Sequence, residues 1–284
     1  MSLSRPASAR PRRDAPAEHD ESFPPTSQEL DAIERHRVDW VTLLGASVSR
    51  DEALGATFVA HDRPGSSLNF AAVLRWPTSD IGDRLVAVAA RMQQRGTWPG
   101  VVVADGVSQP ADITERLRAA GWVPLGGERI MCTRHPAVVP HLDPGLRVEA
   151  VTPATAVEVV RLETASFGLH PDAAGESAEL LANAVLSGAT RAFILRLGRE
   201  PVASARLVPG PGVCGLHAVS VAARHRRRGY GRMITTVATR AGLATGHKLV
   251  WLSVDGANTV AVSLYASLGF APSFTWTRWA APAE

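Results

Sequence analysis

Apolar and polar residues follow two different periods along the first half of this chain. A spacing near 3.6 residues predicts helices from about Ser27 to Leu44, at 81–94 and at 111–120. Apolar runs and period-two alternation predict strands at 56–60, 68–74 and 100–104. The mixture of helices and strands indicates an α/β architecture.

The same kinds of pattern begin again in the second half. They predict helices at 155–167, 174–186, from Gly229 and at 259–268. Strands are predicted at 146–151, 191–197, 202–208, 213–221, 249–254 and from Ala271, with a hairpin turn at 198–201. The segment 134–145 holds three prolines and a glycine and is predicted to be a linker.

These patterns divide the 284 residues into three parts. Residues 1–26 are rich in Pro, Ser, Arg and acidic side chains and have no apolar period, which predicts a disordered tail. Two domains are then expected, at 27–135 and at 146–284, because a chain of this length can build two cores.

An internal repeat relates the two predicted domains. Residues 117–124 align with 265–272, and each segment follows a helix that is itself preceded by a valine-rich strand. The domains are therefore interpreted as diverged copies, each with a mixed central sheet flanked by helices. Leu117 stands in the first copy where the second has Tyr265.

Composition excludes several classes of protein. Hydrophobic residues make up 45% of the chain and charged residues 20%, and no apolar run approaches the roughly 20 residues that span a bilayer. The first 13 residues lack the apolar stretch of a secretory signal, so a cytoplasmic protein with no membrane partner is expected. The distant Cys132 and Cys214 predict neither a disulfide nor a metal site, and no His or acidic cluster suggests a metal.

The net positive charge of the chain lies in its second half. Residues 145–284 hold 14 Lys/Arg against 9 Asp/Glu, whereas 1–144 hold 16 against 18. Much of the excess lies in one segment, Arg226-Arg227-Arg228-Gly229-Tyr230-Gly231, between a predicted strand and a predicted helix. Glycine permits close backbone approach, and a helix start offers free N–H donors to an anion, so this junction predicts a pyrophosphate site.

Three linked motifs in the second half resemble the GNAT superfamily of acyl-CoA-dependent N-acyltransferases, over about residues 145–280. The first is the Val219-Ser220-Val221 strand followed by R-x-x-G-x-G at 226–231. The second is Asn258, Ala261, Leu264-Tyr265 and Leu268-Gly269-Phe270, and the third is the hairpin before Val202. The first half lacks the arginine and glycine loop and resembles a degenerate copy that does not bind CoA.

The resemblance implies a site for acetyl-CoA as co-substrate. Two neighbouring strands part in this family, which would leave backbone groups near Val219 and Val221 to pair with the pantetheine arm. The pyrophosphate would lie on N–H groups of the loop, and the residues implied in cofactor binding are Val219, Val221, Arg226, Arg227, Arg228, Gly229, Tyr230, Gly231, Arg232 and Asn258.

The chemistry implied by the resemblance is attack of an amine on a thioester. Tyr265 would be the general acid that protonates the departing thiolate, with Asn258 on the same helix face, and a backbone N–H near Val221 would stabilise the oxyanion. His217 would be the general base, on the strand face shared with Val219 and Val221. Glu163 is a second candidate base, and a packed core histidine or tyrosine is the alternative for His217 and Tyr265.

The expected function is transfer of an acetyl group from acetyl-CoA to a primary amine of a small molecule, in a ternary complex. Acetylation of a protein lysine or N-terminus remains open, as does a CoA-binding regulator without catalysis. A nucleic-acid patch at 224–228 is a weaker alternative, because a basic run indicates nucleic-acid binding only together with a groove element or aromatic side chains. The sequence does not reveal the acceptor or the oligomeric state.

Overall fold

The structure is a computed structural model, and it describes residues 24–63, 66–135, 137–139, 144–168 and 174–282. Seven α-helices are described: α1 Ser27–Asp39, α2 Ile81–Gln93, α3 Ile113–Ala119, α4 Ala156–Phe167, α5 Ala174–Leu186, α6 Tyr230–Ala244 and α7 Thr259–Ala266. Short 3-10 helices lie at Trp40–Leu44, Pro153–Thr155 and Ala223–His225.

Eleven strands form a single sheet in the described part of the chain. They are β1 Ser47–Asp51, β2 Ala56–Ala60, β3 Phe70–Ala72, β4 Gly100–Ala104, β5 Val123–Thr133, β6 Leu146–Ala150, β7 Arg191–Leu197, β8 Glu200–Pro209, β9 Cys214–Val221, β10 Val250–Asp255 and β11 Ala271–Ala280. The predicted helices and strands are present within a few residues of their expected ends, except that the helix predicted to Leu44 ends at Asp39. The pattern does not predict β1 or β5, since proline, glycines and charged residues interrupt the apolar alternation of β5.

The last strand of each half lies beside a strand of the other half. The order of strands is β1-β2-β3-β4-β11-β5-β10-β9-β8-β7-β6, so β11 lies between β4 and β5. On its other side, β5 pairs with β10 along Glu128 to Thr133. The predicted α/β class is confirmed, and the structure adds that the central sheets of the two halves join through the antiparallel β5–β11 pair.

Helices cover both faces of this sheet. On one face, α1 packs over the centre of the sheet, and α4 and α5 pack over the second half. On the opposite face, α2 and α3 cover the first half, and α6 and α7 cover the second. Because α1 lies against β9 and Trp251, it connects the first half to the strands that position the predicted site.

The internal repeat is visible in the way α3 and α7 end. The Trp122 amide donates to the Leu117 carbonyl at 2.9 Å, and the Phe270 amide donates to the Tyr265 carbonyl at 3.1 Å. Gly121 and Gly269 terminate the two helices with φ of 80° and 85°. Glycine is favoured there because a Cβ strains a left-handed backbone.

The segments predicted to connect or precede the two copies are only partly described. Residues 1–23 of the predicted tail lie outside the described residues, whereas Thr26 caps α1 and exchanges hydrogen bonds with Glu29. In the predicted linker, 136 and 140–143 also lie outside them. No described helix has the length and apolar character needed to cross a bilayer.

Candidate functional site

The strands β9 and β10 part near the middle of the second half. They pair in parallel only at Cys214–Val250 and Gly215–Trp251. Farther along, β10 continues to pair with β5, and β9 continues to pair with β8. Within the described residues, no strand pairs with the β10-facing edge of β9 beyond Gly215, so this edge can accept an extended ligand.

A β-bulge in β9 coincides with the parting of the strands. Ala218 has φ of 52°, and the register shifts so that both Ala218 and Val219 oppose one residue of β8. The bulge reverses the alternation of side chains: Val219 and Val221 pack on the α6 side, whereas His217 lies on the α1 side. The expectation that His217 shares a face with these valines is therefore wrong.

The two valines lie beside the open edge, as the predicted role requires. Both are partly buried against the core beneath α6. The Val221 carbonyl accepts long contacts of 3.4 Å from Ser166 Oγ and from Arg226 Nε. These contacts are weak enough for a better donor to replace them.

The arginine and glycine loop forms the N-terminal end of α6. Arg227 has φ of 62°, and Gly229, the N-cap residue, has φ of 83°. Turns of this kind before a helix are typical of anion-binding loops, and the first turn of α6 contains no acidic residue. The loop is thus built to attract an anion.

The arginines of the loop differ in their partners. Arg226, Arg227 and Arg228 are exposed and form no ion pair within the described part of the chain. In contrast, Arg224 binds Glu200 at 2.6 Å, and His225 lies at the same distance from that carboxylate. These three guanidinium groups, which form no ion pair in the described residues, are available to a phosphate ligand.

Other predicted cofactor residues hold the loop in place. The Tyr230 side chain is buried in the core, so only its backbone can face a ligand at the loop. A Cβ on Gly231 would lie 3.3 Å from Leu264 Cδ2, which shows how closely α6 approaches α7. Arg232 donates to Ser267 Oγ at 2.6 Å and links the same two helices.

Tyr265 lies on α7, in the core cluster that Val219 and Val221 also contact. Its side chain is 8% exposed, and burial raises the pKa of Tyr265 to about 12. The hydroxyl has no hydrogen-bond partner among the described residues and is not fully buried. The phenol therefore keeps its proton at neutral pH and is open to a ligand.

Asn258 has a structural task as the N-cap of α7. Its Oδ1 accepts from the Ala261 amide at 3.1 Å. Asn258 directly precedes the first turn of α7, seven residues before Tyr265. Its contribution to α7 is a cap of the kind that stabilises a helix by about 1 kcal/mol.

His217 lies inside an aromatic box on the α1 side of β9. Its ring stacks on Trp40 at 4.1 Å and contacts the Trp251 ring edgewise at 5.1 Å. Burial, together with the nearby Arg37, His36 and Arg206, holds the pKa of His217 well below its ordinary value. The ring is therefore neutral, which is the form that a base requires.

The two nitrogens of His217 have different surroundings. Nε2 is fully buried without a hydrogen-bond partner, and a Cβ on Gly215 would lie only 2.3 Å from it. Nδ1 has no partner among the described residues either, but it is not among the fully buried atoms. Nδ1 is thus the nitrogen that a ligand can reach.

The second candidate base, Glu163, is fully occupied. Arg206 Nε donates to Glu163 Oε1 at 2.7 Å, and Arg206 NH2 binds Oε2. Both side chains are 8% exposed. This pair joins α4 to β8 and leaves no free carboxylate oxygen facing a ligand.

In the first half, the corresponding strands also part, but the gap is filled. β3 pairs with β4 only at Ala71–Val101, and Val73 has φ of 54°, as Ala218 has in β9. Beyond that point the Gln109 amide donates to the Leu74 carbonyl at 3.0 Å, and the Trp76 amide donates to the Gln109 carbonyl at 3.2 Å. The chain itself thus pairs with the edge that is open in β9.

The segment around Gln109 is anchored by a buried polar network. Ser108 Oγ accepts from the Ala104 amide and donates to Glu34 on α1. Arg75 binds the other oxygen of Glu34 at 2.6 Å. In addition, α2 begins with Asp80 at its N-cap and Asp83 in its first turn, and carboxylates at that end disfavour a second anion.

The sequence interpretation missed two features of the site. Trp40, which covers His217, belongs to the first half, and no local motif connects the two residues. The gap-filling role of Gln109 also has no signal in the sequence. Among the described residues, no group of three or more His, Cys, Asp or Glu side chains is placed to hold a metal ion.

Comparison with known proteins gives a family for the second half. Residues 157–270 match the model of the acetyltransferase (GNAT) family, a range that contains every predicted site residue. No curated protein matches the sequence significantly. GNAT acetyltransferases use acetyl-CoA as co-substrate.

Solved structures resemble most of the chain, across both halves. A GCN5-related N-acetyltransferase from Kribbella flavida has a TM-score of 0.67 and 17% identity, covering 89% of this chain and 96% of its own. A tandem GNAT protein from the clavulanic acid biosynthesis pathway has a TM-score of 0.63 and 15% identity, covering 90% and 94%. A GCN5-related N-acetyltransferase from Sphaerobacter thermophilus has a TM-score of 0.60 and 14% identity, covering 90% and 93%. Residues 157–270 are therefore a domain of the acetyltransferase (GNAT) family, within a chain that has the tandem GNAT fold.

Proposed function

We propose that the second half transfers an acetyl group from acetyl-CoA to a primary amine of a small molecule, by direct attack in a ternary complex. The observation that carries this proposal is the open edge of β9, whose Val219 and Val221 pack in the same cluster as Tyr230 at the start of α6 and Tyr265 of α7. The open edge would pair with the pantetheine arm, the start of α6 would bind the pyrophosphate, and the Tyr265 hydroxyl would serve the leaving thiolate.

The residues around the open edge fit acetyl-CoA. The edge near Val219 and Val221 offers backbone groups for the amides of the pantetheine arm. The N–H groups of the loop, from Arg227 to Arg232, would bind the pyrophosphate, and the guanidinium groups that form no ion pair would add charge. The proposed catalytic unit is the domain at 146–284, and the copy at 27–135 is proposed not to bind CoA.

In the proposed reaction, the amine nitrogen bonds to the acetyl carbonyl carbon, and the bond from that carbon to sulfur breaks. A backbone N–H near Val221 would stabilise the oxyanion, and Tyr265 would donate its proton to the thiolate and then regain a proton from water. His217 Nδ1 would accept a hydrogen bond from the incoming neutral amine. With so low a pKa, His217 would pass the proton on to water rather than hold it.

The substitution Tyr265→Phe tests the role of the phenol. It removes the proton donor and retains the ring, so we expect kcat to fall by about 100-fold while the acetyl-CoA Kd stays within about twofold. Release of free CoA measures turnover, and calorimetry measures the Kd. Ser263→Ala, which removes an exposed hydroxyl from the same helix, serves as the control.

The choice of acceptors distinguishes the alternatives. Turnover on small primary amines but not on peptides supports the proposed acceptor class, and the reverse preference would indicate a protein lysine or N-terminal acetyltransferase. Tight acetyl-CoA binding without turnover on any amine would indicate a regulator that has lost catalysis. Equal kcat in the wild type and Tyr265→Phe would remove Tyr265 from the mechanism.

A further inference from the structure

The 3-10 helix Trp40–Leu44 belongs to the first half but lies against the second half's strand β9. Its first residue, Trp40, stacks on His217 with the ring planes 12° apart. The same segment contacts α5, where a Cβ on Gly45 would lie 3.6 Å from Leu180 Cδ1. The wall on the α1 side of His217 is therefore supplied by the other copy.

No hydrogen bond orients the ring of His217 within the described residues. A histidine that acts in catalysis is usually held by a hydrogen bond from one ring nitrogen to a carboxylate or carbonyl. Here Nε2 is buried over Gly215 without a partner, and Nδ1 has none either. The plane of the ring is therefore set by its aromatic neighbours, Trp40 on its face and Trp251 at its edge.

Two tryptophans contact the ring of His217, and they are held differently. Trp251 has a fixed position, so Trp40 is the neighbour whose position can vary. Trp251 is completely buried in β10, and its Nε1 donates to His36 Nδ1 at 3.0 Å. Trp40 is only partly buried, and the first half holds it through α1. On that helix, Arg37 binds Glu128 of β5 at 2.7 Å, while His36 packs against Gly210 and Gly215.

We propose that Trp40 is a positioning residue of the second half's site: it clamps the ring of His217 so that Nδ1 faces the acceptor side of the cleft. This inference rests on the proposed function, and it gives the first half a defined role. The copy without a cofactor site completes the acceptor side of the other copy. The groups that face His217 are Arg37 and His36 from α1 and Arg206 from β8.

Two substitutions at Trp40 separate stacking from bulk. Trp40→Leu removes the aromatic face, and Trp40→Phe retains a smaller one. We expect Trp40→Leu to lower kcat with the amine by about tenfold or more, since small misplacements of a reacting group are costly. Trp40→Phe retains most of the activity, and both variants keep the wild-type acetyl-CoA Kd because the loop and α6 lie on the opposite face.

Trp98→Leu is the matched control. Trp98 also belongs to the first half, but it is 58% exposed and borders a groove beside α2 that is lined by no residue of β9. We expect its kcat to equal that of the wild type. A folded Trp40→Leu variant with unchanged kcat would overturn the proposal, as would equal losses in Trp40→Leu and Trp40→Phe.

An NMR measurement detects the stacking of Trp40 on His217 and does not depend on enzymatic activity. The indole ring shifts the carbon-bound protons of a stacked imidazole upfield, and the His217 signals are assigned by their loss in His217→Gln. We expect them to move downfield in Trp40→Leu and to stay in Trp98→Leu. If no amine is acetylated, the proposed function fails, while these shifts still decide whether Trp40 holds His217; unmoved signals would overturn the proposal.

Discussion

At the scale of single residues, the site is defined by which polar side-chain atoms have no hydrogen-bond or ion-pair partner. Glu163 has both oxygens bound to Arg206, whereas the Tyr265 hydroxyl and His217 Nδ1 have no partner among the described residues and are not fully buried. In the loop, Arg224 is bound to Glu200, whereas Arg226, Arg227 and Arg228 have no acidic partner there. Sequence distinguishes none of these pairs, because partners are chosen by the fold.

The loop arginines give a direct prediction of affinity. Replacing Arg226, Arg227 or Arg228 singly with alanine removes a free guanidinium, and we expect the acetyl-CoA Kd to rise about fivefold, near 1 kcal/mol for an exposed charge. Arg224→Ala is the control, since Glu200 already engages that side chain. Calorimetry at two salt concentrations checks the result, and similar losses in all four variants would show that only net charge matters.

The pH dependence of turnover follows from the pKa shifts. Burial and neighbouring cations lower the pKa of His217 well below 6.5, so its neutral form persists at every pH above that lowered value. Burial raises the pKa of Tyr265 to about 12, so its protonated form persists to high pH. Between pH 6 and 9, we therefore expect kcat/KM to rise only with deprotonation of the acceptor amine.

Two amines with different pKa values provide the check. The rising limb of the profile shifts with the amine if the prediction holds. A limb that stays near pH 6.5 for both amines, and disappears in His217→Gln, would show that His217 titrates in the ordinary range.

At the scale of elements, the bulge in β9 decides how strand and helices meet. It places His217 toward α1 and both valines toward α6, and it coincides with the point at which β10 departs. On the α1 side, the Arg206–Glu163 pair connects α4 to β8, next to the strand that bears His217. The position of α4 thus depends on a buried ion pair.

Breaking that pair predicts a large loss of stability. Arg206→Gln leaves the Glu163 carboxylate buried without a cation, and we expect the free energy of unfolding to fall by about 3–5 kcal/mol. Arg116→Gln, which breaks the exposed pair with Asp112, is expected to cost no more than about 0.5 kcal/mol. Urea denaturation measures both, and a loss below about 1 kcal/mol for Arg206→Gln would contradict the prediction.

At the scale of the whole molecule, two similar halves have unequal openings in one continuous sheet. Both pairs of central strands part just before a residue with positive φ, yet Gln109 pairs with the edge in the first half. Strands β5 and β11 join the halves, because each pairs with strands of the other half. Helix α1 carries Glu34, which belongs to the network that anchors the Gln109 segment, and it also packs against the aromatic box around His217. The first half, in which Gln109 fills the gap between the strands, thereby supports the second half, in which the gap is open.

The unequal openings predict how much acetyl-CoA the chain binds. We expect calorimetry to give one acetyl-CoA per chain, because the first half offers neither an open edge nor a helix start free of carboxylates. The triple variant with Arg226, Arg227 and Arg228 replaced by alanine is expected to lose that single binding event. A second event that survives these substitutions would show that Gln109 can be displaced.

The sequence alone determined the features that depend on neighbouring residues. Helix and strand periods, the glycines that end α3 and α7, and the arginine and glycine loop before α6 are all short-range signals, and they sufficed for the fold class and the family resemblance. Tertiary structure decided the exchange of β5 and β11, the filling of the first cleft by Gln109 and the stacking of Trp40 on His217. Those contacts join residues far apart in the chain, as the 215-residue separation of His36 and Trp251 illustrates. Packing and strand pairing select such partners only after the chain has folded, so no local pattern records them.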